Sequence, residues 1–187
     1  MACVHTYALH GIQARFVRVE VDVAASSYPR LVLVGLPDPA LRESRERVIV
    51  ALRNQGYRFP DRKVTVNLAP AGLPKAGPAF DLPIAIGLLV ASGQAPGTHL
   101  SSMVWAGELS LEGHVRPVRG SLSMALTERD RAAGARAMVL PTGNVRFERQ
   151  LGLIYRQGQV FSPSVSAFLA ILRQELKPET WIDDNAV

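Results

Sequence analysis

The residues best placed to do chemistry in this chain lie in and around the loop Ala69 to Phe80, APAGLPKAGPAF. Nucleophilic catalysis needs a Ser, Cys or Thr held close to a base. Between Ala69 and Asp81 there is neither hydroxyl nor thiol, and Lys75 is the only cation. A base without a nucleophile performs no acyl transfer. Paired carboxylates for general acid–base work are no better supplied: Asp81 reads as the N-cap of the helix that follows, and Glu108 as a strand residue. The segment Gly72 to Gly77 comes nearest to a phosphate-cradling loop. It lacks the Lys and Ser/Thr that complete G-x-x-x-x-G-K-[ST], so the sequence contains no P-loop. A helix start follows, and its free N–H groups could draw an anion, but every helix has such an end.

Metal and disulfide chemistry find little support. The single cysteine, Cys3, cannot form an internal disulfide or a Cys-based cluster, and His5, His10, His99 and His114 show no ligand spacing. The formal charge is +5 with a pI of about 9.9, and Arg far outnumbers Lys. Arginine forks suit phosphate geometry, which raises nucleic acid as a partner. Acidic residues interleave with the arginines, as in RESRER, which weakens the case for a continuous basic patch. No basic stretch followed by an apolar one marks a secretory signal. The longest apolar run, Leu82 to Ala91, is about half of the ~20 residues a bilayer requires. A cytoplasmic protein without a membrane segment is expected.

The elements that must hold these residues can be read from periodicity. Val17, Val19, Val21 and Val23 alternate with Arg18, Glu20 and Asp22, the period of a half-buried strand. Leu31 to Val34 is a second, β-branched run. Asp38-Pro39 then supplies an N-cap and a first helical position. That helix should reach Gln55 and stop at Gly56, with Leu41, Val48, Ala51 and Leu52 inward and Arg42, Glu46 and Arg53 outward. Val64, Val66 and Leu68 form a strand, and a buried helix follows the Pro/Gly loop. A strand is expected over Val104 to Leu109, a turn at Leu111 to His114, and a partner strand over Val115 to Val118. Next come a helix from Ser121 to Ala133, a strand at Met138 to Leu140, and a short helix at Asn144 to Gln150. A strand near Leu153 to Tyr155 and a helix from Pro163 to Gln174 close the series. With 48% hydrophobic residues over 187 positions, one domain over 1–176 and a polar tail over 177–187 are expected. Strands in pairs, mixed with helices, indicate an α+β domain.

Three segments carry a family resemblance: VGLPDPALRESRERVIVALRNQGYRFP, KVTVNLAPAGLPKAGPAFDLPIAIGLLVASGQ and AGELSLEGHVRPVRGSLSMAL. In order and spacing they resemble the N-terminal region of the YifB/ComM magnesium-chelatase-like AAA+ ATPases, from about His5 to Leu172. That region is similar to the Lon-protease proteolytic domain, which implies a ribosomal-protein-S5-domain-2-like fold. The Lon-type motif resembles P-K-D-G-P-S-A-G. Here Pro74-Lys75-Ala76-Gly77-Pro78 follows it apart from Ala76, and Ala79 stands where the nucleophilic serine would be. Gly107 to Pro117 matches the G-E-[IL]-x-L-x-G-x-V-x-P segment, and the partner lysine's place falls at about Leu122. The resemblance thus implies a protease-like scaffold without the catalytic dyad, and no enzyme activity in this chain. ATP and Mg are expected only in a downstream AAA+ module, toward which the polar tail would lead; the tail favours a fragment over a natural truncation.

Full-length members resemble ATP-driven ring helicases, and ComM proteins are associated with DNA branch migration in natural transformation. A non-catalytic accessory domain that helps assemble the ring or guide DNA is the leading expectation. The second is a stand-alone nucleic-acid-binding module contacting phosphates through Arg42, Arg45, Arg53, Arg62 and Lys75. The third, a residual hydrolase, would need a catalytic set of another kind.

Overall fold

In the computed structural model of the protein, residues 1–98, 100–131, 137–141 and 151–154 are described. All of them fall in one compact unit, Met1–Arg156. The helices expected at 144–150 and 163–174, the tail and the boundary at 176/177 lie outside the described residues.

The core of the unit is a seven-stranded mixed sheet. Its strands are β1 (Ala2–His10), β2 (Gln13–Ala24), β3 (Arg30–Val34), β4 (Lys63–Ala69), β5 (Met103–Trp105), β8 (Ala137–Pro141) and β9 (Leu151–Ile154). In space they run β3-β4-β2-β1-β5-β8-β9. The pairs β1/β2, β2/β4 and β8/β9 are antiparallel, whereas β3/β4, β1/β5 and β5/β8 are parallel. A separate two-stranded hairpin joins β6 (Glu108–Leu109) to β7 (Val115–Arg116). Among the described residues there are three α-helices: α1 (Pro39–Asn54), α2 (Asp81–Ala91) and α3 (Ser121–Asp130). This is an α+β arrangement, with helices and antiparallel pairs around one mixed sheet.

The alternation of β2 places Val17, Val19 and Val21, all fully buried, on the sheet face that α1 and α2 cover. Val64, Val66 and Leu68 of β4 join them, as do Leu41, Val48, Ala51 and Leu52 of α1. Helix α2 lies against β1 and β2 with almost no space to spare. A side chain at Gly87 would bring its Cβ within 2.6 Å of Val21 Cγ2, so only hydrogen fits there. The opposite face, near β1, β2 and β5, is covered by α3 through Met124, which packs with Tyr7, Ala14, Val104 and Ala106.

Two expected elements take a different form. The strand expected from Val104 to Leu109 is two strands in two sheets. The break falls at Gly107, whose N–H donates to the Ala79 carbonyl while its own carbonyl accepts from Leu82 N–H. Those bonds divert the chain from the main sheet into the hairpin. Helix α3 stops at Asp130, three residues earlier than expected, where Arg131 turns to extended backbone.

Candidate functional site

The loop between β4 and α2 is built by long-range hydrogen bonds. Lys75 N–H donates to the Leu36 carbonyl, and Asp38 N–H donates to the Lys75 carbonyl. The loop is thereby stitched to the turn that launches α1, where Asp38 caps the helix by accepting from Leu41 N–H at 2.6 Å. Gly35 in that turn has φ +97°, and a Cβ there would sit 2.2 Å from the Leu68 carbonyl oxygen, so glycine is required on both counts.

Lys75 itself is fully buried. Its Nζ donates to the Gly35 carbonyl at 2.9 Å and to the Pro70 carbonyl. Burial pushes its ammonium below the ordinary lysine range. The expectation that Lys75 contacts phosphate from the surface is therefore corrected. Its charge is held inside by two carbonyls that bind three turns of chain together.

Asp81 is corrected as well. The residue preceding α2 is Phe80, and Asp81 is the first residue of the helix proper. Its fully buried carboxylate accepts from Arg47 Nε at 2.9 Å, from Arg47 Nη2 at 3.1 Å and from Leu109 N–H at 3.2 Å. Arg47 also donates to Ser44 Oγ at 2.9 Å, and the carboxylate holds its guanidinium protonated beyond the ordinary range. One side chain thus joins α1, α2 and the hairpin. Sequence reading missed Arg47, which looks like any exposed arginine of RESRER. Its only local sign is the small Ser44 three residues before it.

A third buried polar cluster lies under α3. Tyr7 donates its hydroxyl to Glu128 Oε2. Burial, then the Glu128 carboxylate, pushes the tyrosine above its usual range. Arg131 lies over the Phe16 ring at 3.5 Å from its centroid, and Phe16 also meets Tyr7 edge-on. None of these residues stood out in the sequence, because β1 and α3 are brought together only by the fold.

The remaining candidates divide. Arg42 and Arg45 are exposed and share an open depression of about 370 Å³ with Leu31, Val32 and Leu33 of β3. Arg53 is exposed near the far end of α1. Arg62 is exposed just before Lys63, the register partner of Arg30. Ala79 lies in the 3-10 turn Pro78–Phe80, its carbonyl accepting from Gly107 N–H. Leu122 is in the first turn of α3 and is 71% exposed. A methyl and an isobutyl group neither attack a carbonyl nor move a proton.

Among known proteins, the sequence pattern of the ChlI subunit of Mg-chelatase matches residues 19–144. The chain belongs to this ChlI family. It is 41% identical over 172 residues to the uncharacterized protein YifB of Salmonella typhimurium, covering 92% of this chain and 33% of YifB. YifB of Escherichia coli is 40% identical over the same span. The competence protein ComM of Haemophilus influenzae is 44% identical over 126 residues, 67% of this chain and 25% of ComM. The chain spans about a third of the length of the YifB relatives it matches.

Membership in this family raises Mg and a nucleotide as possible ligands, and the Ala69–Asp81 loop among the described residues does not fit them. No group of three or more His, Cys, Asp and Glu among the described residues is arranged to hold a metal. His5 packs on Phe16, His114 pairs with Glu112 at 3.3 Å, and His99 lies outside the described residues. At the start of α2, Arg47 is already taken up by the Asp81 carboxylate and the loop's one lysine by carbonyls, so neither cation is left to meet a phosphate. No helix of the described residues is long and apolar enough to cross a membrane.

Proposed function

We propose that this chain is the non-catalytic N-terminal domain of a YifB/ComM-type AAA+ ATPase, with the S5-domain-2-like, Lon-like scaffold its motifs resemble. The observation that carries this reading is the pair of residues at the dyad positions. Ala79 and Leu122 stand on a scaffold whose loop and helix geometry is held firmly by Lys75, Asp81 and Arg47. Such framework bonds without a nucleophile or a base suit a domain that positions other parts of a protein. ATP and Mg would bind in an AAA+ module beyond it, and the whole protein would work in the cytoplasm. Its role would be to help assemble the ring or guide DNA into it, in a branch-migration machine of the kind associated with natural transformation.

Direct contact with DNA is the second reading, favoured by exposed Arg42, Arg45, Arg53 and Arg62. The interleaved carboxylates Glu43 and Glu46, both exposed, make this surface a poor match for an unbroken run of phosphates.

A chimaera tests the accessory role. In YifB of Escherichia coli, the matched region is either deleted or replaced by this chain, and oligomer size and ATP turnover are measured. The replacement is expected to retain the assembled state and the turnover, and the deletion to lose assembly. A deletion variant that assembles and hydrolyses ATP like the parent would refute the role.

A further inference from the structure

Among the described residues β3 is the terminal strand of the main sheet, paired only with β4 from Arg30↔Lys63 to Val34↔Asn67. Among the described residues its outer backbone donors and acceptors meet no other strand. Sheet edges of this kind are usually blunted by inward charges, bulges or short length. This five-residue strand opens with exposed Arg30, and exposed apolar side chains flank and end it. Tyr28 just before it is 78% exposed, Val34 at its end is 40% exposed, and Leu36 just beyond is 59% exposed. Between them Leu31, Val32 and Leu33 line the open depression of about 370 Å³.

The rim of that depression is cationic. At 100° per residue, Arg42, Arg45, Ile49 and Arg53 share one stripe of α1. Arg42 and Arg45 are the two that line the depression. Arg42 has no carboxylate within ion-pair distance among the described residues. Arg45 has only exposed Glu46, at 2.8 Å, a pair between two well-hydrated side chains and therefore weak. The two arginines are about 4.5 Å apart along the helix axis, and alternate residues of a strand are about 6.8 Å apart. Long guanidinium arms readily span that difference.

We infer that the edge of β3, under Arg42 and Arg45, is a docking groove for an extended acidic segment of another protein chain. The segment adds to β3 as an eighth strand. Main-chain hydrogen bonds to β3 supply affinity, and carboxylates at alternate positions face Arg42 and Arg45. The intervening side chains cover Val32 and Val34. An unpaired edge and an apolar floor favour a polypeptide over nucleic acid. Single-stranded nucleic acid calls for stacked aromatics and an unbroken basic track, and among the described residues the depression is lined by three aliphatic side chains and two arginines.

The test uses fluorescein-labelled synthetic peptides in which Glu alternates with Val and Thr, read by anisotropy, with backbone amide shifts mapped by NMR. The Glu peptide is expected to bind and to shift the amides of Leu31 to Val34. Its Lys counterpart should not bind. An N-methylated Glu peptide, with the same charge but blocked main-chain bonds, should lose roughly tenfold or more. The double variant Arg42→Glu/Arg45→Glu, altered only at exposed positions, should lose roughly tenfold or more as well, with an unchanged far-UV spectrum. Several results would overturn the inference: no binding up to about 1 mM, equal binding of the N-methylated peptide, or indifference to the charge reversal. Tighter binding of a single-stranded oligonucleotide at the same amides would do so too, and would assign the groove to nucleic acid.

Discussion

Arg47 on α1 grips Asp81 on α2 through two hydrogen bonds, 2.9 and 3.1 Å long, and the same carboxylate accepts the Leu109 N–H of the hairpin. Three elements far apart in sequence thus converge on one buried carboxylate. Removing it leaves a guanidinium and a backbone donor unmatched. Asp81→Ala should cost about 2–4 kcal/mol, somewhat below a fully buried pair because Arg47 keeps partial water contact. Arg47→Met alone should cost a similar amount, and the double variant much less than the sum. A double-mutant cycle by urea denaturation measures the coupling; additive losses would show that the pair does not act as a unit.

Lys75 links stability to pH. Its native ammonium titrates below the ordinary 10.5 because it is buried, so the unfolded chain binds this proton more tightly. Its contribution is therefore fullest above pH 10.5 and falls away as pH drops through the lowered native value. Lys75→Met removes that dependence and strands the Gly35 and Pro70 carbonyls, at a net cost of about 1–3 kcal/mol. The gap in unfolding free energy between parent and variant should widen as pH rises toward 10.5, the ordinary lysine value. A constant gap would contradict the burial of its charge.

Gly87 sets the approach of α2 to the sheet, since a Cβ there would lie 2.6 Å from Val21 Cγ2 and 3.3 Å from Val4 Cγ2. Helix propensity alone favours alanine by about 1 kcal/mol. Overpacking should dominate, leaving Gly87→Ala destabilised by about 1–3 kcal/mol. Thermal unfolding decides the sign, and a stabilised variant would mean that α2 has room to move away from β2.

Tyr7→Phe deletes a hydroxyl that donates to the Glu128 carboxylate in an interior site. A hydrogen bond to a charged acceptor there should be worth about 1.5–3 kcal/mol. Urea titration with an unchanged slope would register it as a lower midpoint. A loss under half a kcal/mol would show that the carboxylate is already satisfied without the tyrosine.

Much of the frame was legible because it is written locally. The Val alternation of β2, the Asp38-Pro39 start of α1 and the stop at Gly56 each depend on neighbouring residues, and the structure places them as expected. Asp81 and Lys75 were misread because their partners lie 34 and 40 residues away, at Arg47 and Gly35. A charged residue in a Pro/Gly loop gives no local sign of whether it faces water or a carbonyl. The same limit hid the split at Gly107, where bonds to Ala79 and Leu82 override a continuous strand pattern. Exposure of Arg42, Glu46 and Arg53 followed simply from helical phase.

The proposed function holds that this domain has a protease-like frame and performs no hydrolysis. Its most direct test is to follow ATP and fluorogenic-peptide turnover across gel-filtration fractions of the purified chain, with a hydroxyl- and amine-directed hydrolase probe added in parallel. No turnover should track the protein peak, and the probe should leave it unlabelled. Turnover that coelutes with the chain, together with covalent labelling of it, would contradict the claim.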